Sequence, residues 1–267
     1  MQADKEKLVL DLETKKSFDE VKGRSLELLE VSVVGIYSYK NDEFKTFLEK
    51  DIKLLLPYLE EAELVIGFNT KAFDYPVLQP YLDFDLKTLK SLDIFEEVRN
   101  RLGFRLSLNN IAQATLGIGK IGSGLDALKY FRQGEIDKLK TYCQQDVFVT
   151  RELYEYGRKH GNLLYRRGLR LETIPASWSE SKSIDQIMHE AFNERRTVEI
   201  DYSSGFNAAG KLTRKIDVYE FEFGRIIAYC HLRKDLRTFN MRRILSAKLT
   251  QQQYEIPSSF NKERKLS

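Results

Sequence analysis

The chain has 267 residues, 42% apolar and 31% charged, with 16 Phe and 14 Tyr, a composition that supports a folded, soluble protein and excludes a disordered one. The longest apolar runs are too short to span a bilayer, and the opening residues, Met1 to Lys7, lack the apolar segment of a signal peptide. Cys143 and Cys230 lie far apart with no CxxC, and the three histidines are scattered, which argues against a disulfide framework, a zinc ribbon or a His-built metal centre and fits a reducing cytoplasm. The net charge of +3 is unevenly divided: residues 1–160 carry 24 Lys/Arg against 27 Asp/Glu, and residues 161–267 carry 19 against 13. An acidic half joined to a basic half points to metal chemistry in the first and polyanion binding in the second.

Taken in order, the first half alternates strands and helices. Leu8 to Thr14 is an apolar run broken by two carboxylates, Asp11 and Glu13, whose i, i+2 spacing on a strand places them on one face. Two anions so close read either as a surface-facing acidic edge strand or as a core strand end that needs a cation between them; with no clustered histidines, such a cation is oxygen-bound, which favours magnesium or manganese. Leu26 to Tyr39 reads as a long strand and Glu43 to Leu48 as its hairpin partner across Lys40-Asn41-Asp42. Asp51 to Ala62 has helical spacing, and Leu64 to Phe68 reads as a buried strand running into Asn69-Thr70-Lys71-Ala72-Phe73-Asp74-Tyr75-Pro76, a loop-to-helix start.

From Ile94 to Phe131 the pattern is helical with short breaks. Gly117, Gly119 and Gly122 satisfy GxGxxG with Lys120 inside it, yet the motif follows a helical segment rather than a strand. It is read as a flexible loop. Glu135 to Tyr156 forms a long helix on which Tyr142 and Asp146, at i and i+4, share a face one turn apart.

Asp11-x-Glu13, Asn69-x3-Phe73-Asp74 and Tyr142-x3-Asp146 occur in that chain order, and together they resemble the three-motif signature of the DEDD exonucleases. Tyr142 places the resemblance in the DEDDy branch; the DEDDh branch carries a histidine in its last motif, and position 143 and its neighbours hold none. The resemblance implies an α/β ribonuclease H-like domain over residues 1–160, a mixed central sheet flanked by helices. It further implies that Asp11, Glu13, Asp74 and Asp146 hold two divalent metal ions, Mg2+ or Mn2+, about 3.5–4 Å apart. Tyr142 would orient the attacking water, and Leu12, Thr14, Asn69 and Phe73 would hold the 3′-terminal nucleotide. The expected partner is a nucleic acid with a free 3′ end, single-stranded DNA or RNA, and the product a nucleoside monophosphate.

The second half reads as a polar, basic connection over 161–182, then a module over 183–250 and a polar tail over 251–267. Ser183 to Asn193 is an amphipathic helix; Thr197 to Tyr202, Lys211 to Glu222, Arg225 to Leu232 and Arg237 to Phe239 are short strands, with a turn at Gly205 to Gly210. Ile226 to Ile244, with Val198 to Tyr202, resembles the end of a WYL domain, an Sm/SH3-like β-barrel. The Trp-Tyr-Leu tripeptide itself is replaced by Gly224-Arg225-Ile226. Tyr202, Arg233, Arg237, Phe239 and Arg243 offer guanidinium and aromatic groups suited to nucleic acid or a nucleotide ligand. The whole reads as a two-metal-ion 3′–5′ exonuclease carrying a nucleic-acid- or nucleotide-binding module; the alternative is a catalytically silent regulator on a nuclease scaffold.

Overall fold

The computed structural model describes residues 6–22, 25–119, 122, 124–179, 182–203 and 211–260. The chain divides into two compact units, Met1–Glu155 and Tyr156–Ser267.

The first unit is organised on β1 (Lys7–Thr14). Leu8, Val9, Leu10 and Leu12 are buried, as expected of a strand covered on both faces. On one side β1 pairs antiparallel with β2 (Val31–Ser38), which pairs antiparallel with β3 (Glu43–Leu48). On the other it pairs parallel with β4 (Leu64–Gly67), which pairs parallel with β5 (Ser91–Asp93). The resulting order, β3-β2-β1-β4-β5, is the expected mixed sheet. Helices α1 (Leu56–Glu61), α2 (Asp74–Leu78), α3 (Ile94–Leu102), α4 (Leu108–Leu116), α5 (Gly124–Arg132) and α6 (Ile136–His160) complete the order of elements.

Gly35 of β2 stands opposite Asp11 in register. A Cβ there would lie 2.8 Å from Cys143 Sγ and 3.0 Å from Val147 Cγ2, so a residue without a side chain is what lets α6 settle on the sheet. The long strand expected over Leu26 to Tyr39 begins only at Val31. Leu26–Leu29 form a 3-10 turn, and Glu30, at φ 55°, breaks the extended run. The carbonyls of Leu29 and Glu30 instead accept the N–H groups of Lys16 and Lys15. The helix expected from Asp51 opens as a 3-10 stretch, Glu49–Leu55, and becomes α-helical at Leu56, where Pro57 suits the first turn.

In the second unit the expected connection, 161–182, contains a hairpin, β6 (Asn162–Arg167) with β7 (Arg170–Pro175). Tyr165 is fully buried and donates to Glu172, and Thr173 donates to the carbonyl of Arg242 at 3.3 Å. Helix α7 (Ile184–Asn193) starts at a capping box: Ser183 Oγ accepts from Gln186 N, and Gln186 Oε1 accepts from Ser183 N. Then β8 (Arg196–Ser203), β9 (Lys211–Glu222), β10 (Arg225–Cys230), β11 (Asp235–Asn240) and β12 (Ile244–Gln253) form an antiparallel sheet in the order β11-β10-β9-β8-β12.

Among the described residues β11 and β12 do not pair with each other, so the expected barrel is not closed. Ile184, Met188 and Ala191 of α7 instead cover Val198, Ile200, Ile216, Val218 and Ile226 of the sheet. A helix laid on an apolar face buries it without closure. The expected tail is also shorter: β12 runs to Gln253, and Phe260 is buried edge-on against Tyr219. The expected turn at Gly205 to Gly210 lies outside the described residues, as do 261–267. Among the described residues no helix is long and apolar enough to cross a membrane.

Candidate active site

The end of β1 brings the first two carboxylates together because alternate residues of a strand face the same way. Helix α6, seated on β2 beside Gly35, brings the third. Asp11, Glu13 and Asp146 each offer an oxygen, and these oxygens lie within 4.8 Å of one another. Asp146 is 5% exposed, while Asp11 and Glu13 are half-buried.

Asp74 is not among the oxygens that meet within this distance. It opens α2, is 2% exposed, and its Oδ1 accepts the N–H of Leu12 at 3.0 Å. Burial pushes the Asp74 carboxyl upward, and the charge of Asp93 adds to that push. All four acids nonetheless converge on one region. Cys143 Sγ lies 3.6 Å from the Asp11 carbonyl oxygen, and burial together with Asp11, Glu13, Asp146 and Asp74 holds its thiol well above the ordinary range. Such a thiol is a packing group, not a nucleophile.

Tyr142, one turn before Asp146, is buried with Val33, Ala127, Leu139 and Cys143. In the GxGxxG loop, Gly117 ends α4 at φ 72°, and Gly122, at φ 90°, approaches Tyr142 so closely that a Cβ would lie 3.3 Å from its ring. Lys120, within that motif, lies outside the described residues.

The loop that carries Asn69 and Phe73 is held by a residue that sequence reasoning passes over. Asp93, 3% exposed, accepts from Asn69 N at 2.8 Å, Lys71 N at 3.1 Å and Glu96 N at 3.2 Å. Asn69 takes φ 70°, and its carbonyl accepts from Ala72 N and Phe73 N. Gly67 permits the tight return, since a Cβ there would fall 1.7 Å from Thr70 Oγ1. The pattern Asp93-x2-Glu96 before an apolar helical run is an N-cap signature visible in the sequence. Phe73 packs against Phe18, 5.8 Å between ring centroids, and Phe18 is exposed. Thr14 Oγ1 donates to the carbonyl of Lys16, and the Leu12 N–H is committed to Asp74.

In the second unit three of the five residues expected to meet a ligand come together. Tyr202 and Phe239 meet edge to face at 5.1 Å, and the Arg243 guanidinium lies 4.8 Å over the Tyr202 ring while donating to the carbonyl of Ser203. Phe239 is a core residue, so its ring supports Tyr202 rather than facing a ligand. Arg237 pairs with Asp235 at 3.1 Å on the exposed edge strand β11, and Arg233 is exposed in the turn before it.

A mixed β3-β2-β1-β4-β5 sheet with acids at the end of its central strand defines a ribonuclease H-like α/β domain. Residues 10–157, more than half of the chain, match the model of the RNase_H superfamily, and the chain belongs to that superfamily. Residues 185–249 match the WYL domain. No curated protein matches. Among solved structures, the proteasome accessory factor B/C (PafBC) of Arthrobacter aurescens is similar at 17% identity and a TM-score of 0.26, over 59% of this chain and 22% of that one.

Proposed function

We propose that the first unit is a metal-dependent 3′–5′ exonuclease of the DEDDy type, releasing nucleoside monophosphates from a free 3′ end, and that the WYL domain binds nucleic acid or a regulatory nucleotide. One observation carries the reading: oxygens of Asp11, Glu13 and Asp146, from β1 and α6, lie within 4.8 Å of one another. A set of hard anionic oxygens fits magnesium or manganese. Divalent ions held there would supply Lewis acidity at the scissile phosphate and a more acidic bound water.

The remaining work belongs to the chain. Asp74 ties down the N–H of Leu12 and so steadies the strand end on which Asp11 and Glu13 stand. Tyr142 shares its helix face with Asp146; because phenols ionise only near pH 10, it serves by orienting the attacking water rather than deprotonating it. Asn69 and Phe73, on the loop that Asp93 ties down, hold the terminal nucleotide with Leu12 and Thr14.

The test is a panel of single-stranded, duplex and overhang DNA and RNA, incubated with manganese and resolved by product size. The reading requires mononucleotides as the first products. Longer fragments would assign the same carboxylates to internal cleavage, and no product from any strand would leave a catalytically silent scaffold that binds nucleic acid or a ligand.

A further inference from the structure

A pocket of about 300 Å³ opens between α5 and α6, lined by Tyr130, Asp137, Lys138, Thr141, Tyr142 and Gln145. Lys138, Thr141, Tyr142 and Gln145 follow the i, i+3, i+4, i+7 spacing of one helix face, and Tyr130 closes the slot from α5. Its lining is mainly apolar, with two phenol rings, and polar groups stand among them: the Gln145 amide, the Asp137 carboxylate, the Lys138 ammonium and the Thr141 hydroxyl, which donates to the Asp137 carbonyl at 2.8 Å. The ammonium lies 5.8 Å from the centre of the Tyr130 ring and pairs with Glu135 at 2.7 Å. Tyr142 is a wall of this pocket and, one turn on, Asp146 belongs to the carboxylate cluster, so the pocket adjoins that cluster.

We propose that this pocket is a nucleobase-binding site, which takes the base of a nucleotide next to the phosphodiester held at the carboxylates. The proposal rests on the exonuclease reading for its placement in the reaction, though not for the binding itself. An apolar slot with aromatic walls favours a flat π-system, and stacking on such walls serves any base. The amide of Gln145 can both donate to and accept from a base edge, and Lys138 offers a positive charge to the attached phosphate. A volume of about 300 Å³ is at the small end of ligand pockets, suited to one nucleotide and not to a paired base step.

The experiment titrates nucleoside monophosphates, with ribose 5-phosphate as the control lacking a base, into the full chain and three variants by calorimetry. Tyr130→Ala removes one ring. Gln145→Leu keeps the shape and loses the amide. Thr141→Trp, at an exposed helical position, fills the slot without entering the core. The same proteins are assayed for manganese-supported release from oligo(dA), oligo(dC) and oligo(dT).

Tyr130→Ala and Thr141→Trp should weaken nucleotide binding about ten-fold or more. Ribose 5-phosphate should bind weakly and equally to all four proteins. Gln145→Leu should change the order of preference among the strands. Equal nucleotide affinity in the parent chain, Tyr130→Ala and Thr141→Trp would overturn the proposal whatever the hydrolysis result. Nucleotide binding abolished in both variants, in a chain that hydrolyses no strand, would sustain the pocket and refute the exonuclease reading instead.

Discussion

At Asp93 one buried carboxylate accepts three backbone N–H groups, from Asn69, Lys71 and Glu96, and so fixes both the start of α3 and the loop that carries Asn69 and Phe73. Asp93→Ala would strand those donors and remove a cap, at a cost of about 2–4 kcal/mol. A lower unfolding midpoint and a raised KM for oligonucleotides should follow, measured by denaturant unfolding and steady-state hydrolysis. Tyr142 and the clustered acids should separate. Tyr142→Phe keeps the packing against Leu139 and Cys143 and should lower kcat about 10–1000-fold with substrate binding little changed. Asp11→Ala should abolish hydrolysis while leaving the circular dichroism spectrum intact. Tyr254 makes stability depend on pH in the alkaline range. Burial, with smaller effects from Asp217 and Tyr219, pushes its phenol up to about 12, and its hydroxyl donates to the Val218 carbonyl. The folded state therefore keeps a proton that the unfolded chain releases from about pH 10. Its contribution is complete below pH 10 and is lost as pH rises to about 12. Tyr254→Phe should flatten that part of the stability profile, read from urea midpoints at pH 9 through 12.

At the scale of elements, the packing of α6 on β2 decides where Asp146 stands. A Cβ on Gly35 would press on Cys143 Sγ, so Gly35→Ala should cost about 1–3 kcal/mol and much of the hydrolysis rate. Cys143→Ala alone should be mild, and the pair should recover part of the loss. A double-mutant cycle on stability measures this, and strict additivity would show that the two residues do not meet. β1, β3, β4 and α6 follow from apolar runs and helical spacing, and the acids at 11, 13, 74 and 146 stand out because charges interrupt those patterns. β5 is three residues long, too short for any periodicity. The hairpin at 162–175 is obscured by its arginines, which line a strand as readily as a loop. β12 escapes notice because polar residues fill its second half, and register with β8, not apolar alternation, makes it a strand. The shortfall of Asp74 from the closest cluster is not legible at all. Asp74 Oδ1 instead accepts from the N–H of Leu12, sixty-two residues away.

At the scale of the molecule, an acidic RNase H-like unit is joined to a basic WYL domain, and the proposed function divides the work between them as chemistry and polyanion binding. Arg233 and Arg237 are the exposed pair suited to phosphate binding, whereas Arg243 is engaged with Ser203 and Tyr202. Replacing Arg233 and Arg237 by alanine should weaken binding of single strands and reduce the slope of log affinity against log salt by about 0.7 for each phosphate no longer neutralised. An unchanged slope would assign the domain to a nucleotide ligand. The proposed cleavage from the 3′ end rests on the acids at the end of β1 and on α6. Its most direct test is single-turnover hydrolysis of a 3′-labelled single strand across a manganese titration, with the parent chain and Asp146→Asn side by side. Labelled mononucleotide should appear first in the parent chain, in proportion to bound manganese, and should not appear with Asp146→Asn. Equal release by the two proteins, or release that ignores manganese, would contradict the claim.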